Sequence, residues 1–303
     1  MPDPDRRTLS ATESPALFNA SPYVTRWMLY HKFANGVDIE KEQTSRMFWG
    51  KELQPLLLKK AADDLKLEIY PNGEDVYERH PNLLIGCTRD ALIYDPARGY
   101  GSLETKAVFD YGVWMREWGG GQLIPRHYEI QLQHQMLVGG PTSAPFNAHS
   151  WGVLAVWVCG EMMYFERAPI EQFQTELRRA VGDFFLDVAR FKEPEPFGSA
   201  VEVPLLTQLF DGEKHVLECS DDYKLAEIAR LYKDFSEQHR FYEKGYLAAR
   251  LELLKVGAPH YELMRLAGGV EVKIKKTKNN QLRIRVKVPD ELPDEIIRDR
   301  EDE

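Results

Sequence analysis

Apolar positions along the 303-residue chain recur at helical spacing in some stretches and at every second residue in others, and the change of period marks out the elements. Val24, Trp27, Met28 and Tyr30 predict a helix over Tyr23–Phe33. Asn19-Ala20-Ser21-Pro22 reads as its start, with Ser21 the capping residue. Ser45–Leu65 predicts a second helix with Met47, Phe48, Leu53, Leu56, Leu57 and Ala61 on its apolar side. Pro55 predicts a kink or a restart there, and Gly50 a close backbone approach. Leu83–Cys87 and Ala91–Tyr94 read as a β-hairpin, Asp95–Gly99 as turn chemistry, and Leu103–Val108 as a third strand. Asp110–Pro125, with Gly119-Gly120-Gly121, reads as a loop in which Trp114, Arg116 and Trp118 either pack as a lid or stack on bases.

Arg126–Val138 predicts an amide-rich helix with Tyr128, Gln131 and Gln135 on one face and Gln133 nearly opposite. A glutamine facing the core needs a fixed partner, such as a carboxylate. Trp151–Val158 and Met162–Glu166 predict two strands, and Ile170–Phe191 an amphipathic helix through Phe173, Leu177, Val181, Phe184, Phe185 and Val188. Lys192–Pro204 is Pro-rich and reads as a linker. Ser220–Val256 is a long helical pattern broken near Gly245. Val270–Lys276 and Gln281–Val288 alternate as a hairpin turning at Lys278-Asn279-Asn280. One of its faces is apolar and the other carries Lys273, Lys275, Arg283, Arg285 and Lys287. That basic face fits a phosphate backbone or an edge-protecting device equally well. The fold class is α/β in the mixed, α+β sense. The organisation is a core over 15–195, a linker over 196–219, a helical and β-hairpin extension over 220–289 and an acidic tail over 290–303.

Charge and cysteine content narrow the partners. The net charge of −9 argues against a protein coated in positive charge for nucleic acid. The tail Asp290–Glu303, however, holds eight acids against Arg298 and Arg300, so the rest is only mildly acidic and a local basic groove stays open. Cys87, Cys159 and Cys219 have no metal-ligand spacing and predict a reduced, cytoplasmic protein without a zinc or iron–sulfur site. No signal peptide or membrane span is predicted.

The candidate chemistry gathers on Pro81–Ala107. Asp90 precedes one strand, and Glu104 and Lys106 share a face of the next, with Thr105 turned away. Two hard carboxylates, the Thr105 backbone carbonyl and room for water suit Mg²⁺. Lys106 beside them orients an attacking water or offsets phosphate charge. An acid-x-lysine pair on a strand is more often a solvated face, and Asp90 nearby tilts the reading toward chemistry.

The ordered set Trp49-Gly50-Lys51, Asp90, Glu104-Thr105-Lys106 and Tyr128-x-x-Gln131-x-Gln133, over roughly residues 19–190, resembles the YqaJ-type viral recombinase family. This is the phage lambda exonuclease-like branch of the PD-(D/E)xK nucleases. The resemblance implies a restriction-endonuclease-like core, a mixed central sheet flanked by helices, and Mg²⁺-dependent 5′→3′ digestion of linear double-stranded DNA to leave 3′ overhangs. It implies two ions, with Mn²⁺ substituting, held by Asp90, Glu104 and the Thr105 carbonyl. Lys106 would position or activate the water and Gln131 would support it. Ser21 and Thr88 would bind the 5′-phosphate, and Arg89 and Gln133 would contact the phosphate or the DNA beside it. It further implies DNA ends and a single-strand annealing protein as partners, a toroidal homotrimer, and a phage or prophage origin.

Three departures stand out. Arg89-Asp90-Ala91 replaces Pro-Asp-Gly, placing a cation beside the expected phosphate path. Gln54, in Leu53-Gln54-Pro55, occupies the place of a metal-binding glutamate, with Glu52 a poor substitute. For the arginine that holds the 5′-phosphate, Arg26 and Arg89 are the candidates. A non-catalytic DNA-end-binding module, or a nuclease for single strands or internal sites, is the alternative reading.

Overall fold

The computed structural model describes residues 8–37, 39, 43–75, 77–139, 149–210, 215–220, 222–237, 243–257, 261–276 and 282–289. The chain divides into two compact units, Met1–Glu193 and Pro194–Glu303. The first unit runs β1 (Leu9–Ser10), α1 (Arg26–Asn35), α2 (Ser45–Leu65), β2 (Glu68–Glu74), β3 (Tyr77–Arg79), β4 (Ile85–Thr88), β5 (Ala91–Asp95), β6 (Gly99–Val108), α3 (Tyr111–Glu117), α4 (Arg126–Val138), β7 (Gly152–Val158), β8 (Glu161–Arg167) and α5 (Glu171–Ala189). Five strands form a sheet in the order β2-β5-β6-β7-β8, antiparallel except for the parallel pair β6–β7. A second sheet, β1-β4-β3, pairs β1 with β4 in parallel and β3 with β4 antiparallel. The fold is thus mixed α/β with mixed sheets.

Alternation along β7 explains how the larger sheet is sandwiched. Val153 and Ala155 face Leu58 and Ala61 of α2, together with Ala91, Ile93 and Leu103. Leu154, Val156 and Val158 face Trp114 and Trp118 from the α3 region and Leu132 and Met136 of α4. A further core joins the small sheet to α1, the end of α4 and α5 through Leu9, Leu29, Ile85, Leu137, Leu177, Val181 and Phe184.

Several expectations are corrected here. Leu83–Cys87 and Ala91–Tyr94 do not form a hairpin. β4 belongs to the small sheet, β5 to the large one, and Arg89 and Asp90 bridge the two; the hairpin is β5–β6. Its turn is closed by Asp95 Oδ1, which accepts from the Ala97 N–H at 2.7 Å, with Gly99 at φ 76°. The expected loop Asp110–Pro125 contains α3, capped by Asp110, whose side chain accepts from Gly112 and Val113. Trp114 and Trp118 are buried, so packing is what they do. α1 is capped by Thr25, not Ser21. The Ser21 hydroxyl instead accepts from the Tyr23 and Val24 N–H groups at 3.2 Å, closing a turn upstream. α2 passes through Pro55 without a restart and buries Leu57, Leu58 and Ala61, while Met47, Phe48 and Leu56 are exposed. Nothing lies within 4 Å of where a Gly50 side chain would start, so no close backbone approach explains that glycine.

The second unit comprises α6 (Val203–Leu209), β9 (His215–Cys219), α7 (Tyr223–Glu237), α8 (Glu243–Gly257), β10 (Tyr261–Leu266), β11 (Val270–Lys276) and β12 (Leu282–Lys287). Its sheet has the order β12-β11-β10-β9. Parallel β9 and β10 are joined through α7 and α8, which pack on the sheet. The expected hairpin β11–β12 therefore sits inside a larger sheet. The stretch 196–219 is no linker, since it supplies α6 and β9. The helical pattern divides into α7 and α8, and α8 runs through Gly245. The turn at 278–280 and the acidic tail 290–303 lie outside the described residues.

Candidate active site

The switch of sheets between β4 and β5 leaves Asp90 at the head of β5, beside the middle of β6. Its Oδ2 accepts from both the Thr105 N–H at 2.7 Å and the Thr105 hydroxyl at 2.6 Å. Oδ1 accepts no hydrogen bond among the described residues. On the other face of β6, Glu104 and Lys106 point toward α4. Lys106 Nζ donates to Glu104 Oε1, which also accepts from Gln131 Nε2 at 2.7 Å; Gln135 Nε2 donates to Glu104 Oε2 at 2.6 Å. Glu104 is 4% exposed, and three donors fix its orientation. The amide stripe of α4 thus finds its fixed partner in a carboxylate.

Burial, and next the Glu104 carboxylate nearby, push the Asp90 carboxyl up to about 7, against the opposing pull of Lys106 and the Thr105 hydrogen bonds. Burial pulls Lys106 down, but Glu104 and Asp90 outweigh it and hold the ammonium above the ordinary lysine range. Its Nζ lies 5.3 Å from the centre of the Tyr128 ring. His127 is pushed down to about 4 by burial and then by the Lys106 charge.

Asp90, Thr105 and Lys106 line a cleft of about 490 Å³ together with Tyr23, Arg46, Gly50, Gln54 and Glu117. Gln54 reaches it from α2, its Nε2 bonded to Asp75 Oδ1 at 3.1 Å, whereas Glu52 is exposed and does not line the cleft. Arg46 is the arginine that the sequence pattern did not single out. With Gly50 and Gln54 it makes an i, i+4, i+8 stripe on α2, the signal that would have found it.

Neither expected arginine reaches the cleft. Arg26 donates to Asp187 at 2.8 Å. Arg89 is buried, paired with Glu78, and donates to the Gly139 carbonyl at 2.7 Å, so it supports the junction between the sheets. Gln133, fully buried, donates to the Ala168 carbonyl at 3.0 Å and accepts from the Ile170 N–H at 2.9 Å, tying α4 to the start of α5. Thr88 is exposed at the end of β4, and Ser21 closes its turn; neither lines the cleft. Lys273, Lys275, Arg283 and Arg285 belong to the second unit and are exposed there.

Comparison with known families bears on this geometry. Residues 5–142 match the YqaJ-like viral recombinase domain. The matched span holds Asp90, Glu104, Lys106 and Gln131. Among solved structures, the alkaline exonuclease of Laribacter hongkongensis is 16% identical over 62% of this chain and 92% of its own, with a TM-score of 0.47. A phage-related exonuclease from Haemophilus somnus 129PT is 12% identical over 61% of this chain and 94% of its own, with a TM-score of 0.46. No curated protein matches the sequence. No helix among the described residues is long and apolar enough to cross a membrane.

The donor set suits a divalent hard cation. The Glu104 carboxylate adds to the burial that raises Asp90, and among the described residues Asp90 Oδ1 accepts from no donor. Among the described residues no group of three Asp, Glu, His or Cys side chains converges. The protein's share would therefore be Asp90, Glu104 and the Thr105 carbonyl, with water completing the shell, as Mg²⁺ prefers.

Proposed function

We propose that this YqaJ-like domain, in a PD-(D/E)xK arrangement, is a Mg²⁺-dependent exonuclease that degrades linear double-stranded DNA 5′→3′ and leaves 3′ single strands for recombination. The observation that carries the reading is that Asp90 and Lys106 line one cleft, with Asp90 bonded to Thr105 and Lys106 paired with the buried Glu104. Mg²⁺ held there by Asp90, Glu104 and the Thr105 carbonyl would supply Lewis-acid polarisation of the scissile phosphate and an acidified water. Gln131 and Gln135 keep the Glu104 carboxylate in one orientation, so that a ligand oxygen is presented without reorganisation. Lys106 sets a positive donor at the cleft wall, where charge accumulates on phosphate oxygens. Arg46 offers a guanidinium to the terminal phosphate. Gln54, a neutral ligand at best, leaves a second ion weakly held.

The test compares linear duplexes with 5′-phosphate ends, linear duplexes with 5′-hydroxyl ends and covalently closed circles, each with and without Mg²⁺. The reading expects Mg²⁺-dependent loss of linear DNA, fastest from 5′-phosphorylated ends, with circles intact. Circles cut as fast as linear DNA would point to an endonuclease. DNA ends bound but never shortened would point to the non-catalytic module.

A further inference from the structure

The sheet of the second unit carries a charge pattern that its folding does not call for. Along β11 and β12, Val270, Val272, Ile274, Leu282 and Ile284 are buried, while Lys273, Lys275, Arg283, Arg285 and Lys287 are exposed. The register sets Lys273 opposite Arg285 and Lys275 opposite Arg283. Like charges directly across a sheet are destabilising. The third outward pair, Glu271 opposite Lys287, is of opposite sign, so the like charges gather on the four positions Lys273, Lys275, Arg283 and Arg285.

Protection of an edge accounts for cations on β12, the outer strand. It does not account for Lys273 and Lys275 on β11, which is paired on both sides by β12 and β10. Among the described residues, two acids stand at the patch, Glu262 and Glu271. Glu262 approaches Lys275 at 3.4 Å, and Glu271 approaches Arg265 at 3.5 Å. Among the described residues no carboxylate forms an ion pair with Lys273, Arg283, Arg285 or Lys287. This concentration of positive charge stands in a chain whose net charge is −9.

We propose that the outward face of β11–β12 binds the phosphate backbone of duplex DNA, a contact surface additional to the cleft of the first unit. The proposal rests on the nucleic-acid reading above but not on cleavage. Same-face neighbours on a strand stand about 6.8 Å apart, and neighbours across strands about 4.8 Å, so the face presents a grid of cations. Duplex DNA, with one phosphate per roughly 1.7 Å of axis, is a dense polyanion that such a grid can meet. None of the outward residues on β11 and β12 is aromatic. The stacking platforms that hold single strands are therefore missing from these two strands, and the surface reads charge and not sequence.

The test measures binding of a short labelled duplex, and of one of its strands alone, to the full chain in EDTA over a series of salt concentrations. Metal is withheld, so the result stands whether or not the cleft cleaves DNA. In the variant Lys273→Gln/Lys275→Gln/Arg283→Gln/Arg285→Gln, duplex affinity is expected to fall roughly tenfold or more near 0.1 M salt. The slope of log affinity against log salt should shrink by about 2–4, at about 0.9 for each phosphate that is no longer neutralised. The thermal midpoint should hold or rise, because like-charge repulsion is relieved. The exchange variant K273R/K275R/R283K/R285K, which keeps every charge, should retain both affinity and slope. Wild-type affinity and slope in the glutamine variant would overturn the proposal. So would a loss confined to the single strand, or an equal loss in the exchange variant.

Discussion

The cleft of the first unit and the sheet face of the second handle charge in opposite ways. At the cleft wall, Lys106 pairs with Glu104, which is buried and also held by Gln131 and Gln135. On β11–β12, Lys273 faces Arg285 and Lys275 faces Arg283 across the strands, all four exposed, and among the described residues Glu262 alone forms an ion pair with one of them. Withdrawal from water strengthens each interaction and makes geometry decisive, which suits bond-breaking. Exposure leaves each charge weak and screened by salt, which suits a long polyanion that is gripped and released. The two regions should therefore respond to different perturbations, and the contrast can be broken at either side.

The largest effect is expected from Glu104→Gln. It should lower Mg²⁺-dependent digestion on the order of 10³-fold or more, while duplex binding in EDTA and the circular dichroism spectrum stay as in the wild type. A parallel loss of EDTA binding would erase the distinction between the regions. Next comes Arg89→Met. With Glu78 left buried and unpaired, stability in a denaturant titration should fall by about 3–5 kcal/mol without any change in the salt slope of DNA binding. A reduced slope at unchanged stability would return Arg89 to the DNA-gripping role.

Gln135→Leu strips one donor from Glu104 and should lower metal affinity about 10–100-fold, measured by Mn²⁺ titration, with Gln135→Asn restoring little because its amide is too short. The smallest effect concerns pH. The folded pKa of Asp90 lies above its unfolded value of 3.8, so the stability it contributes is whole below that value and lost as pH rises through about 7. Asp90→Asn cannot ionise, and its side-chain oxygen can still accept from Thr105. In metal-free buffer it should be about 1–2 kcal/mol more stable than wild type at about pH 8 and alike near about pH 4. Added Mg²⁺ should stabilise the wild type alone. A wild type that gains on Asp90→Asn as pH rises would contradict the sign.

What the sequence made legible follows from the range of each interaction. The period-2 alternation of β11–β12 is local, and it gave the face of Lys273, Lys275, Arg283 and Arg285 directly. Glu104 and Lys106 on one side of β6, with Thr105 on the other, follow from the same rule. The amide stripe of α4 announced a polar partner for Gln131, and Gln135 on that face was visible although not assigned a role.

The misreadings are long-range. β4 and β5 look like a hairpin because two apolar runs stand close in sequence. Their separation depends on β1 and β3, two short strands with little pattern of their own. Arg89 reads as a DNA contact until Glu78 comes to lie beside it through the β3–β4 pairing. Gln133 reads as free until the chain between β8 and α5 returns to it. The glycines near 120 suggest a loop because helix α3 ends just before them, and Gly119, Gly120 and Gly121 all take positive φ.

The central claim is that Asp90 and Glu104 hold a divalent ion between them. Calorimetric titration of Mn²⁺ into the full chain tests it without DNA. The account predicts a saturable heat in the wild type that disappears in both Asp90→Asn and Glu104→Gln and persists in the glutamine variant of the β11–β12 face. Equal heats in the wild type and the two cleft variants would contradict it.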